Sequence, residues 1–185
     1  MKFLKNILLF LSAFVPMFVL ILLKLIIDII NSNLTFNVLN TLNLCTLVIL
    51  ILTGICGLYW STHEKEAGKE IYILSAQNIT DKHFFGYFSL FVLFALQLDL
   101  SLISGYCTFV VIMFFIAVVY IKNALFYINP LLNILGYNFY DVTYQLREEG
   151  SEHNAKIFSK GVLLPKKKYV ANIKNQNFTF IDTKK

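Results

Sequence analysis

Four long apolar runs set the pattern of the chain, each closed by polar or charged positions. The first, "NILLFLSAFVPMFVLILL", covers Asn6 to Leu23 and continues past Lys24 to Ile30; the second, "LNLCTLVILILTGICGLYW", covers Leu42 to Trp60. The third, "FFGYFSLFVLFALQL", runs from Phe84 to Leu98, and the fourth, "LISGYCTFVVIMFFIAVVYI", from Leu102 to Ile121. About 20 apolar residues, rising 1.5 Å each, cross a hydrocarbon core of about 30 Å, so the first, second and fourth are long enough and the third is slightly short. Read as one helix, the last two would extend roughly 57 Å and must therefore fold back. The polar break "QLDLSLISG" between them predicts a helical hairpin with Asp99 at its tip. The pattern thus predicts four transmembrane helices, at about 6–30, 42–60, 84–98 and 102–121. The first is too long for the apolar part of a signal peptide and lacks a small-residue cleavage site, so it reads as an uncleaved helix, kinked at Pro16.

Beyond Ile121 the period changes. Asn129-Pro130 stops regular helix, "PLLNILG" allows a further turn or two closed by Gly136, and "YNFYDVTYQL" then alternates with Phe139, Val142 and Tyr144 among polar neighbours, as a strand does. "REEGSEHN" reads as a polar turn, while "AKIFSKGVLLP", "KKYVANIKN" and "QNFTFID" carry further strand patterns, enough for a meander of three or four strands. Such a sheet is marginal alone and has edges to cover, so it should rest on the helices, on a second copy or on a partner. The loop segment "KEIYILSAQNITDKH" has its own apolar run, Ile71 to Leu74, which could add a strand to that sheet. The fold class is therefore an α-helical integral membrane protein: a four-helix domain over 1–127 with a loop at 61–83, and a small β-rich module over 128–185.

Composition agrees, with 57% hydrophobic and 15% charged residues and a mean hydropathy of +0.67. Of the sixteen Lys and Arg, only Lys24 falls on one side of the predicted spans; the rest precede the first span, lie in the 61–83 loop or follow the fourth. Basic residues near spans are retained in the cytoplasm, so both termini and that loop are expected there, with the Asp99 turn facing outward.

Candidate chemistry is sparse. Cys45, Cys56 and Cys107 lie in predicted spans as small apolar residues, and His63, His83 and His153 lack ligand-like spacing. No hydrolase, phosphate-loop or dinucleotide motif occurs, so neither catalysis nor a cofactor or metal is expected. Lys24 and Asp28, four apart on one helical face, can pair and snorkel to the outer interface. Asp99 and Gln97 fit a turn. Lys166, Lys167 and Lys168 would be drawn to anionic lipid by about 1 kcal/mol per basic residue near the surface, or would meet an acidic partner or nucleic acid. Thr53-x-x-x-Gly57 and Ser101-x-x-x-Gly105 are small-residue pairs that allow close helix contact.

Three stretches carry a family likeness: "LSAFVPMFVLILLK", the loop and span "YILSAQNITDKHFFGYFSLFVLFALQLDLS", and "NALFYINPLLNILGYNFYDVTY" entering a basic tail. Together they resemble KwaA, the membrane-subunit family of the bacterial Kiwa anti-phage system. The most specific element is "NPLLNILGYNFYDV", with Asn129, Pro130, Gly136, Tyr137 and Tyr140. The resemblance implies an oligomeric, multi-pass inner-membrane protein that detects infection at the envelope and works with a cytoplasmic, nucleic-acid-binding effector, KwaB, without binding nucleic acid itself. On this reading Lys166, Lys167, Lys168, Tyr137 and Tyr140 are candidates for partner or lipid contact, and Lys24, Asp28 and Asp99 are the polar residues of the membrane domain. The alternative is a channel or small transporter subunit with Asp99, Lys24 or Asp28 as selectivity groups.

Overall fold

A computed structural model describes residues 2–31, 38–63, 68–100, 102–123, 125, 128–146, 151–175 and 178–181. Helices α1 (Lys2–Asn31) and α2 (Val38–His63) come first, followed by strand β1 (Lys69–Asn78) and helices α3 (Thr80–Gln97), α4 (Ile103–Lys122) and α5 (Pro130–Ile134). Strands β2 (Asn138–Leu146), β3 (Glu152–Ser159), β4 (Lys168–Asn175) and β5 (Phe178–Ile181) complete the chain.

α1 is the axis of the helical part. Phe14, Met17, Phe18 and Ile21 are all at most 5% exposed, because α2, α3, α4 and α5 each pack against it. A helix apolar on every side suits that central place, and α1 runs through Pro16 as one helix. α2 approaches α1 through Gly54 and Gly57: a Cβ on Gly54 would lie 2.5 Å from Val15 Cγ2, and one on Gly57 would lie 2.6 Å from Leu8 Cβ. The close contact is thus made by a glycine pair three apart. Thr53, expected in that role, is exposed and returns its hydroxyl to the Ile49 carbonyl.

Among the described residues three helical segments are long and apolar enough to cross a membrane, Asn6–Asn31, Val38–Thr62 and Ile103–Lys122. α3, expected as a fourth span, is not one of them; its 18 residues begin with the polar turn Thr80-Asp81-Lys82-His83. It nevertheless runs the same way as α1, since its start meets β2 and its end meets Lys24. The reversal between α3 and α4 falls where the polar break predicts it. Gly105 is obligatory there, because a Cβ at that position would collide with the Asp99 carbonyl.

The strands form a closed barrel in the order β1-β2-β3-β5-β4, with β1 returning to pair with β4. β3 and β5 are parallel and all other pairs antiparallel. A five-stranded Greek-key barrel of this order is an OB-type barrel, here with α3, α4 and α5 inserted between its first two strands. The expected meander is corrected in its connectivity: β5 crosses back to β3 and the sheet closes, which removes the exposed edges. The 61–83 loop does add a strand, as its apolar run allows, and β1 joins between β2 and β4. β3 also begins at Glu152, inside the stretch that reads locally as a polar turn. Ile71, Ile73, Tyr140, Val142, Tyr144, Ile157 and Ile181 fill the barrel. Phe139 and Phe158, one position out of phase with that inner face, belong to the helical core instead.

Candidate functional site: the joint between helices and barrel

The block around Asn129-Pro130 is where the chain passes from helix to barrel, and its polar atoms are buried. Asn129, 3% exposed, is the N-cap of α5: its Oδ1 accepts from the amides of Leu131 (3.1 Å) and Leu132 (3.3 Å). Pro130 takes the first helical position, where a missing N–H costs nothing. The other half of the Asn129 amide is turned the opposite way, donating through Nδ2 to Ser12 Oγ at 2.8 Å. Ser12 is fully buried in α1 and donates to the Leu9 carbonyl at 2.7 Å. α4 joins the same knot, because the Tyr120 hydroxyl donates to the Ile128 carbonyl at 3.1 Å. One asparagine therefore ties α5 to α1 at a point 117 residues away in the chain.

α5 ends in a Schellman motif. Gly136 has φ +81°, and the amides of Tyr137 and Gly136 donate to the carbonyls of Leu132 and Asn133, both at 3.0 Å. The left-handed residue turns the chain straight into β2. There the Phe139 amide donates to Thr80 Oγ1 at 2.8 Å and the Phe139 carbonyl accepts from the Ile79 amide at 2.9 Å. Asn78 Oδ1 accepts from the Thr80 amide at 2.9 Å, fixing the corner between β1 and α3. The Phe139 and Phe158 rings lie 4.7 Å apart in the core shared with α1 and α5. Both ends of the helical insertion are thus clamped to the first strand pair of the barrel.

At the far end of the helices the α3–α4 turn is held by polar side chains. Lys24 Nζ donates to the carbonyls of Leu96 (2.9 Å) and Leu98 (2.7 Å), the last acceptors of α3, so a cation neutralises a helix C-terminus. Asn43 of α2, 1% exposed, donates through Nδ2 to the Leu100 carbonyl at 2.5 Å. Asp28 and Asp99 are exposed. The sequence signal for Lys24 was its isolation among apolar residues; its partner, a backbone 72 residues away, leaves no such mark.

The basic tract runs from the end of the β3–β4 loop into the first residue of β4. Lys166, Lys167 and Lys168 are exposed, and the loop backbone is pinned to mid-β1 by Ile73 N–H to Lys167 O (3.0 Å) and Lys166 N–H to Ile73 O (2.7 Å). Leu163 plugs the barrel, while Val162 and Leu164 stand 67% and 43% exposed among these lysines. The loop starts at the helix side of the barrel, since Ser159 at the end of β3 pairs with Asn138 at the start of β2. Tyr137 is half-buried with the Lys160 ammonium 5.2 Å from its ring centre. Tyr140, expected beside it as a contact residue, lies inside the barrel at 4% exposure and serves its core. The residues that sequence reasoning missed are Ser12 and Thr80: a lone hydroxyl in an apolar run, like one threonine among the polar residues that open a helix, gives no sign of its distant partner.

Cys45, Cys56 and Cys107 are free thiols on the outer faces of α2 and α4. Among the described residues no three His, Cys, Asp or Glu side chains group so as to hold a metal. Fold and joint together define a class: an apolar helical assembly, suited to a membrane, that carries a small barrel on a buried hydrogen-bonded joint. Residues 5–181 match the family described as anti-phage protein KwaA, nearly the whole chain, and the protein belongs to that family. No curated protein and no solved structure matches it.

Proposed function

We propose that the chain is the sensor and scaffold subunit of an anti-phage defence system: a multi-pass, oligomeric inner-membrane protein with its termini and barrel in the cytoplasm. It passes a change in helix packing to a cytoplasmic, nucleic-acid-binding effector of the KwaB kind. Membership of the KwaA family supports the defence role, and the single observation that carries the mechanism is the Ser12–Asn129 bond inside the joint. A displacement of α1 relative to α4 acts on that bond and on Tyr120, and through α5 on the start of β2. Both ends of the insertion are fixed to the barrel, so the barrel follows the helices as one body.

The loop from Lys160 to Lys168 is the barrel's membrane-facing contact on this reading, with Val162 and Leu164 at the headgroup layer and the lysines toward anionic lipid. The outer face of β2 and β3, away from that loop, is left to the effector. In OB-type barrels this face often takes oligonucleotides, which stack on exposed rings. Here Asp141, Glu152 and Asn154 are exposed on these strands, while Phe139, Tyr140, Tyr144 and Phe158 are buried. A protein contact fits that face better than nucleic acid, and we assign the chain no catalytic role and no cofactor. The channel reading has less support, because Lys24 is committed to carbonyls of the α3–α4 turn.

Asn129→Ala in the full-length protein tests the mechanism. Membrane insertion and effector co-purification should persist while protection against phage plating falls, since loss of about 1 kcal/mol of coupling weakens the transmitted equilibrium about fivefold. Full protection by an inserted Asn129→Ala variant would refute the joint as the transmitting element.

A further inference from the structure

α3 and α4 both pack on α1 but scarcely on each other, and the space between them is a cleft of about 500 Å³. Its floor is Phe14 and Met17 of α1; its walls include Leu90 and Phe91 of α3 and Val119 and Tyr120 of α4. The rings of Phe14 and Phe91 sit 5.0 Å apart, and those of Phe14 and Tyr120 sit 6.2 Å apart, so one aromatic group touches all three helices. The only polar atom among these six side chains is the Tyr120 hydroxyl, which is already engaged with Ile128.

Water does not stably fill an apolar cleft of this kind, and an empty one forfeits the dispersion contacts of its lining. In a bilayer the available filler is hydrocarbon. The cleft lies toward the barrel end of the helices, since Val119 and Tyr120 are in the last turn of the α4 span Ile103–Lys122. Lys122 stands three residues beyond Val119, on the same face of α4, and is exposed. An exposed cation one turn beyond the slot on the same face of α4 complements a phosphate joined to an acyl chain; it does not complement an apolar helix of a second copy.

We propose that this cleft binds an acyl chain of an anionic phospholipid from the leaflet on the barrel side, with its phosphate at Lys122. The consequence rests on the sensor reading above: the lipid touches Tyr120, whose hydroxyl holds the carbonyl immediately before Asn129, so departure or exchange of the chain loosens the joint at its root. The bound lipid is then the input through which bilayer disturbance reaches the barrel.

The test uses the full-length protein in phosphatidylcholine vesicles carrying phosphatidylglycerol with a photoactivatable acyl chain, followed by mapping of the labelled peptides. Labelling should concentrate on 90–94 and 115–119 and fall about tenfold in Val119→Trp and in Leu90→Trp, either of which fills the slot sterically. Lys122→Gln should abolish the preference for phosphatidylglycerol over a phosphatidylcholine probe. Labelling no stronger than on the outward residues Leu52 and Val111, or unchanged in both tryptophan variants, overturns the site. Efficient disulfide formation between copies carrying Val119→Cys, with the native cysteines replaced, does so as well by placing a second copy there. The regulatory consequence is read separately, in phage plating: Val119→Trp should lose protection, and full protection with labelling abolished overturns the lipid as input while leaving the sensor reading to the Asn129 test.

Discussion

Asn129 uses both ends of one amide in a buried place. Its Oδ1 caps α5 and its Nδ2 reaches Ser12 in α1. Asn129→Ala removes the cap and leaves the Ser12 hydroxyl with one partner fewer, a loss of about 2 kcal/mol. Unfolding of the purified protein in detergent checks this, and a double-mutant cycle with Ser12→Ala should return a coupling energy of about 1 kcal/mol, since the two groups bond directly. Additivity of the two substitutions would show that the bond contributes nothing. Gly136→Ala places a Cβ at φ +81° and should cost about 1 kcal/mol through the left-handed backbone alone. Nothing lies within 4 Å of that Cβ, so a larger loss would point to a cause outside the backbone. Lys24→Met leaves the final carbonyls of α3 without their cation. The α3–α4 turn should then become more accessible, seen as faster thiol labelling of an Asp99→Cys probe; an unchanged rate would mean that Asn43 and Gly105 suffice.

At the scale of elements, the α1–α2 contact and barrel closure bear the most weight. Gly57→Leu would drive a branched side chain into Leu8 and part the two helices, a loss of about 1–3 kcal/mol by overpacking. Thr53→Leu, on the exposed face, should be nearly neutral. The contrast locates the seam, and equal effects would place it elsewhere. These elements also show how far local pattern reaches. All four long helices were legible because long apolar runs need no partner to announce them, although α3 (Thr80–Gln97) is not among the segments long and apolar enough to be a span; β2 was legible by its alternation and by Gly136. The Thr53–Gly57 reading failed by one position because a small side chain marks a possible contact without fixing the face that makes it. β1 was legible as an apolar run able to add a strand, but its partners were not. Its pairing with β2, Asn78 to Tyr140 through Ile71 to Leu146, joins segments separated by the whole helical insertion, and no local period encodes that. Phe139 likewise alternates with the wrong set: in one strand, inner and outer faces are both apolar when the outer face meets helices.

At the scale of the whole molecule, the passage at Asn129-Pro130 is a return as much as an exit. The tail supplies four of the five strands of a barrel whose first strand precedes α3, and its aromatic pair Phe139–Phe158 is part of the helical core. Residues 128–185 therefore do not make the sheet alone, and excision of 69–78 should open the barrel and expose β2 and β4, measured as rapid proteolysis of the tail in an otherwise inserted protein. The candidate site was half legible. The block "NPLLNILGYNFYDV" was singled out by its break in pattern, while Ser12, Thr80 and the carbonyls bound by Lys24 belong to long-range packing that a single polar letter does not reveal.

The central claim is that barrel and helices move as one body through the Ser12–Asn129 joint. Spin labels at Leu4→Cys on α1 and Asn154→Cys on β3, both exposed positions, with the native cysteines replaced, report it by pulsed electron paramagnetic resonance in lipid nanodiscs. A single narrow distance distribution is predicted for the otherwise wild-type chain, broadening when Asn129→Ala is added. A distribution already broad with Asn129 in place, or one that the substitution leaves narrow, would contradict the account.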